Sequence, residues 1–153
     1  MTDALIIRPL SDADQDAFCS RLSAYQAEMT AAAARPDPQA AQRLLSDPML
    51  TVIGGFRDGA LVAFAVFFDL PEAISGRRAG QLDDLYVAPE ARGHRLAQRM
   101  VEAIAAIGRQ RGWVHLRWLV PEDNPGARKT YDRFAEAAPW KSYALWLGTE
   151  QRW

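Results

Sequence analysis

Apolar residues recur along this chain in two rhythms, every second position and every third or fourth, with breaker residues between them. Leu5–Arg8 is a short apolar run stopped by Pro9, which suits an edge strand. Ser11 then stands as an N-cap with Asp12 and Asp14 in the first turn. Phe18, Leu22, Tyr25 and Met29 follow at helical spacing and predict a helix to about Ala33. Pro36 and Pro38 break it, and Gln39–Leu45 fits a further short helical stretch before Asp47-Pro48.

Met49–Phe56 and Ala60–Asp69 are β-rich runs separated by Asp58-Gly59, a strong hairpin signal. Pro71–Gly80, with Pro, Ser, Gly and two arginines, reads as a loop. Gln81–Val87 reads as a strand with Pro89 just beyond it. Leu96, Met100, Ile104 and Ile107 share one helical face, so a helix is expected over Leu96–Arg111 with Gly112 at its C′ position. Val114–Val120 is a further strand, Pro125 to about Ala135 a short helix, and Tyr143–Leu147 a final strand. Three hairpin-like strands followed by strand–helix–strand give an α/β (α+β) fold: a mixed, mostly antiparallel central sheet flanked by helices.

Composition adds mainly exclusions. The 153 residues fit a single domain, with an ordinary balance of 49% apolar and 24% charged positions. A net charge of −1 gives no footprint for nucleic acid or an anionic membrane. Cys19 is the only cysteine, so no internal disulfide forms, and no Cys/His array has metal-ligand spacing. Its expected place is buried on a helix. The start lacks the basic and apolar regions of a signal peptide, and the longest apolar run, Ala60–Phe68, is far short of a membrane span. The expectation is a cytoplasmic protein.

The stretch richest in chemistry is Leu82-Asp-Asp-Leu-Tyr-Val-Ala-Pro-Glu-Ala-Arg-Gly-His-Arg-Leu-Ala-Gln-Arg-Met100. A strand runs into a turn carrying Arg92, Gly93, His94 and Arg95, and an amphipathic helix follows. A helix N-terminus offers unpaired N–H groups and partial positive charge, which suits a phosphate. Gly93 allows close approach of a ligand to the backbone. From the residues alone, a basic and solvated turn without a ligand fits equally.

Arg92-Gly93-His94-Arg95-Leu96-Ala97 resembles the acetyl-CoA signature of the GNAT N-acetyltransferase superfamily, R/Q-x-x-G-x-G/A. Arg92 matches its first position and Ala97 its last, while Arg95 stands where the family usually has Gly. An arginine there is open to two readings, a phosphate clamp or a mark of weakened cofactor binding. Asn124-Pro-Gly-Ala-Arg-Lys-Thr-Tyr131 is similar to the family's N-x-x-A-x-x-x-Y element, with Asn124, Ala127 and Tyr131 at the expected offsets. The Gly-Phe pair that often follows is here Ala135-Glu136, so the helix is expected to run on slightly, to Ala138-Pro139 at most.

The resemblance implies acetyl-CoA as cosubstrate, no metal, and a GNAT-like acyl-CoA N-acyltransferase fold. It implies cofactor contacts at Leu85, Tyr86, Val87, Arg92, Gly93, His94, Arg95, Leu96, Ala97, Asn124, Ala127 and Tyr131. Asn124 would bond the pantetheine arm, and Tyr131 would stand near the sulfur as a general acid. The chemistry suits a tyrosine, which is protonated at neutral pH. Taken alone, Tyr131 reads first as an aromatic packed in the core, since aromatics at helical spacing are usually core.

Leu82-Asp-Asp-Leu-Tyr-Val also resembles the polyamine acetyltransferase branch, which implies Asp83 as a base and Asp84 as an acidic contact. Strand alternation would put the two on opposite faces. His94 and His115 are the weaker base candidates, one beside the phosphates and one structural. Tyr25 and Glu28 would line the acceptor pocket by analogy of fold. Trp140, Tyr143, Trp146 and Trp153 suit core, a homodimer contact or an acceptor wall.

The function this implies is acetyl transfer to an amine, favouring a small cationic molecule as acceptor. A non-catalytic acyl-CoA-binding module is the alternative. A nucleotide-binding module ranks behind both, because the P-loop lysine spacing is missing.

Overall fold

The computed structural model describes residues 4–148, so Trp153 lies outside the described residues. The elements are β1 (Leu5–Pro9), α1 (Gln15–Thr30), α2 (Pro38–Ser46), β2 (Leu50–Arg57), β3 (Ala60–Glu72), β4 (Arg77–Val87), α3 (Leu96–Arg111), β5 (Trp113–Arg117) and α4 (Pro125–Tyr131). They build one sheet in the order β1-β2-β3-β4-β5. Neighbours are antiparallel except β4 and β5, which run parallel across the α3 crossover.

Local chemistry explains most boundaries. Ser11 precedes a 3-10 turn over Asp12–Asp14, and its N–H and hydroxyl both donate to Asp14 Oδ2 at 2.9 and 3.2 Å. α1 follows and ends at Thr30, where Ala31 turns left-handed, earlier than the expected Ala33. Asp58 and Gly59 both take positive φ, as a tight hairpin turn requires. α3 has the expected bounds, with Gly112 left-handed at its end.

The sheet separates two apolar cores. Phe18, Leu22, Ala41, Val52, Phe64, Val66 and Tyr86 pack under α1 and α2. Ile53, Phe67, Leu82, Leu96, Met100 and Ile104 pack under α3. β3 is central, and Leu61–Phe67 is buried without a break because both faces are covered. Cys19 is buried on α1. None of the described helices is long and apolar enough to cross a membrane.

Four expectations need correction. Pro71–Gly80 is not a loop: β3 and β4 continue as a paired ribbon to Glu72↔Arg77, leaving only residues 73–76 as the turn. The ring of Trp113 lies where a Cβ on Gly80 would stand, so that glycine serves packing within a strand. β5 stops at Arg117 rather than Val120, and α4 stops at Tyr131 rather than near Ala135. Tyr143–Leu147 forms no strand; Tyr143, Leu145 and Leu147 are exposed and find no sheet partner among the described residues.

Candidate active site

The turn between β4 and α3 is built by backbone conformation. After a 3-10 turn at Pro89–Ala91, Gly93 and Arg95 take φ of 89° and 54° on either side of His94. A non-glycine residue in the left-handed region costs about 1–2 kcal/mol. Arg95 therefore holds by strain a conformation that the glycine usual at this place would adopt freely. Nothing lies within 4 Å of where a Cβ on Gly93 would stand, so the turn's surface is open.

The first α3 N–H that the chain itself satisfies is that of Arg99, bonded to Arg95 O at 3.0 Å. Among the described residues, the N–H groups from Gly93 to Gln98 find no acceptor, which makes an anion cradle. His94 and Arg95 are exposed beside it, while Leu96 is buried and anchors the helix. Leu96 and the half-buried Ala97 thus offer a ligand chiefly their backbone N–H groups. Arg92 is tied down: its Nε donates to Val87 O at 2.9 Å, and its guanidinium grips both Glu28 oxygens at 2.8 and 2.9 Å.

Upstream of the turn, β4 loses its neighbour. Pairing with β5 ends at Gln81↔Arg117, whereas pairing with β3 continues to Val87. The outer edge of β4 from Leu82 to Val87 thus has no strand partner among the described residues. Leu85 and Val87 pack toward the α3 core and Tyr86 toward the α1 core, so this edge also meets a ligand with backbone.

A β-bulge sits at the centre of that edge. Val66 pairs with Asp84 and Phe67 with Leu82, leaving Asp83 as the extra residue. The bulge interrupts the expected alternation, and the Asp83 carboxyl is near enough to act on that of Asp84. Asp83 is exposed and Asp84 is half-buried. Burial pushes the Asp84 carboxyl up from the usual carboxylate range, the Tyr25 hydroxyl opposes this, and the charge of Asp83 adds to it.

Tyr25, from α1, donates to Asp84 Oδ1 at 2.8 Å. Burial first, and then the charge of Asp84, pushes the Tyr25 phenol well above its ordinary range; Asp83 and Tyr131 act in the same direction from further away. The structure thus gathers Tyr25, Asp83, Asp84 and Tyr131 into one neighbourhood. Tyr131 on α4 lies edge-on to Trp118 and Phe134, with ring centroids 5.3 and 6.0 Å apart, and burial raises its phenol too. Asn124 caps α4 by accepting from Ala127 N at 3.1 Å, which leaves its amide NH₂ for a ligand. His115 is exposed on β5, with Glu72 as a charged neighbour.

Sequence reasoning named Tyr25 and Glu28 only as lining residues and missed their partners, which lie 59 and 64 residues away. Trp118 beside Tyr131 had no signal in the sequence.

The Acetyltransferase (GNAT) family model matches residues 15–135. Among solved structures, a ribosomal-protein-alanine N-acetyltransferase from Brucella melitensis biovar Abortus 2308 is 34% identical. That match covers 94% of this chain and all of the other, with a TM-score of 0.83. An aminoglycoside acetyltransferase from an uncultured soil metagenomic sample, in complex with trehalose, shares the fold at 16% identity and TM-score 0.80. It covers 95% of this chain and 97% of its own. An integron cassette protein from the mobile metagenome of V. cholerae does so at 21% identity and TM-score 0.75, covering 95% and 93%. No sequence among the curated proteins matches. With the open β4 edge, the anion cradle and a family match over most of its length, this chain belongs to the GNAT acetyltransferase family.

Proposed function

We propose that the protein transfers the acetyl group of acetyl-CoA to an amine, with a small cationic molecule as acceptor. One observation carries this reading: the open edge of β4 runs directly into a helix N-terminus whose N–H groups are free. The residues present fit the cofactor. The Gly93–Gln98 N–H groups would receive its pyrophosphate, and the Leu82–Val87 edge and the Asn124 amide its pantetheine arm. When bound, acetyl-CoA supplies an activated acyl group as a thioester.

The chain's own groups supply the proton handling. An ammonium must lose a proton before it attacks, and the Asp83–Asp84 pair both attracts the cation and can accept that proton. Tyr131 stays protonated at neutral pH and holds a proton at its hydroxyl for the leaving sulfur. Both groups act on Tyr25, so they belong to one neighbourhood where proximity can add to their chemistry.

Two other readings each have an observation behind them. The 34% identity to a ribosomal-protein-alanine N-acetyltransferase favours a protein N-terminal alanine as acceptor. The strained Arg95 in place of Gly favours a non-catalytic acyl-CoA-binding module. Calorimetry with acetyl-CoA, followed by thiol release with polyamines, amino acids, aminoglycosides and an alanine-initiated peptide, separates all three. Amine-dependent release is expected, with kcat falling on the order of 10²-fold in Tyr131→Phe while acetyl-CoA affinity holds. Binding without release on every acceptor would point to the module.

A further inference from the structure

We propose that Tyr25 is a positioning residue for the transfer reaction, its hydroxyl fixing Asp84 as the member of the aspartate pair that takes the acceptor's proton. The inference rests on the acetyl-transfer reading above and assigns roles inside it.

The geometry distinguishes the two acids. Asp84 keeps its register opposite Val66, whereas Asp83 is the extra residue of the bulge and points into solvent. The Tyr25 hydroxyl binds Oδ1 of Asp84 at 2.8 Å, and the only other hydrogen-bonding group that acts on this carboxyl among the described residues is the neighbouring Asp83. Tyr25 thus anchors one oxygen of the pair's buried member. The anchor is itself fixed, because the Tyr25 ring lies edge-on to Phe64 at 5.7 Å and against Tyr86 at 5.9 Å. Core packing, not a free torsion, sets where the hydroxyl stands.

The chemistry runs the same way. Two adjacent carboxylates resist carrying charge together, and on Asp84 the Tyr25 hydrogen bond favours the charged form against the larger push of burial, which itself suits a carboxylate that takes up a proton. Tyr25 remains protonated, since burial and the surrounding negative groups all oppose its ionisation, and its hydroxyl is therefore always a donor. The groups acting on Asp84 are Tyr25 from α1 and Asp83 from β4, with Tyr131 from α4 reaching Tyr25. Glu28, one turn beyond Tyr25, is held by Arg92. No cation among the described residues acts on the Asp84 carboxyl, which leaves that role to the acceptor's ammonium. There, an N–H bond of the ammonium breaks and an O–H bond forms at Asp84 Oδ2. The proton passes to water after the acetylated amine departs.

The test is a carbon-13 titration of the aspartate carboxyl groups in the free protein, with Asp83→Asn and Asp84→Asn assigning the two signals. In Tyr25→Phe, which keeps the ring, the Asp84 titration should rise by about one pH unit, the scale of one lost hydrogen bond to a charged acceptor. Fluorotyrosine at position 25, a stronger donor of nearly the same shape, should move it down. The acid limb of kcat/KM should move with the titration, and KM for acetyl-CoA should not change. An Asp84 signal that stays put in both variants, with the wild type active, overturns this inference and leaves the transferase reading intact. A wild type that binds acetyl-CoA but acetylates no amine overturns the transferase reading and the proton-accepting role with it.

Discussion

One strand, β4, serves two halves of the site by opposite physics. At its end, the Arg92–Arg95 turn is exposed and offers direction: free N–H groups held by two left-handed residues. In its middle, Asp84 sits half-buried against Tyr25, where burial and neighbouring charge set protonation. Backbone donors recognise an anion with little regard to side-chain identity, so the turn tolerates an arginine at a glycine's place. Proton handling depends on which side chain is buried beside which, so the middle of the strand tolerates far less. The first half should weaken with salt and the second should respond to pH.

Asp84→Asn breaks the comparison most severely. It removes the ionisable group, so kcat/KM should fall on the order of 10²-fold or more. The same change should stabilise the fold. The Asp84 pKa lies above its unfolded value of about 3.8, so the folded protein holds an extra proton between that value and the raised one. This contribution to stability is present at low pH and is lost as pH rises through the folded pKa. At pH 8 the half-buried carboxylate is a net cost that asparagine relieves, and Tm should rise by about 1–3 °C. Near pH 4 the gain should shrink toward zero, which thermal melts at the two pH values would show.

The two halves also differed in how legible they were. The turn and α3 could be read from the sequence because their causes are local: a Gly, a Pro and apolar spacing predict a helix over about Leu96 to Arg111, where α3 lies. The hairpin at Asp58-Gly59 was readable for the same reason. The bulge at Asp83 has no local marker, since it arises from register against β3, and it interrupts the alternation expected of the two aspartates. Tyr25–Asp84 and Glu28–Arg92 join α1 to segments 59 and 64 residues later, a distance that periodicity does not see. Gly80 looked like a loop residue because its reason, the ring of Trp113, lies across the β4–β5 pair. Tyr143–Leu147 has the composition of a strand, but a strand exists only where an edge receives it.

Arg95→Gly sharpens the comparison on the turn's side. Glycine adopts the left-handed φ without strain, so stability should rise by about 1 kcal/mol in chemical denaturation. The side-chain charge is lost, so acetyl-CoA should bind about 2–5-fold more weakly at low salt and equally at high salt. A loss that persists at high salt would mean that Arg95 shapes the cradle rather than adding charge to it. The carboxyl titration of Asp84 should not move, since the perturbation stays within the turn.

Glu28→Gln should have the smallest effect and asks whether the two halves communicate. Arg92 and Glu28 are each about half exposed, with side-chain accessibilities of 46% and 49%, so their ion pair contributes little to stability, within about 0.5 kcal/mol. Its consequence lies in competition. Glu28 holds the guanidinium through both oxygens, and a phosphate beside the turn would draw on the same donors. Removing the carboxylate charge should free Arg92 and tighten acetyl-CoA binding about 2–3-fold at low salt, with the gain gone at high salt. The Val87 carbonyl keeps its bond to Arg92 Nε, so the side chain stays at the turn in the variant. Weaker binding in Glu28→Gln would reverse the argument: α1 would then be holding Arg92 in position for the anion, and the helix that anchors Asp84 through Tyr25 would be supporting both halves of the site.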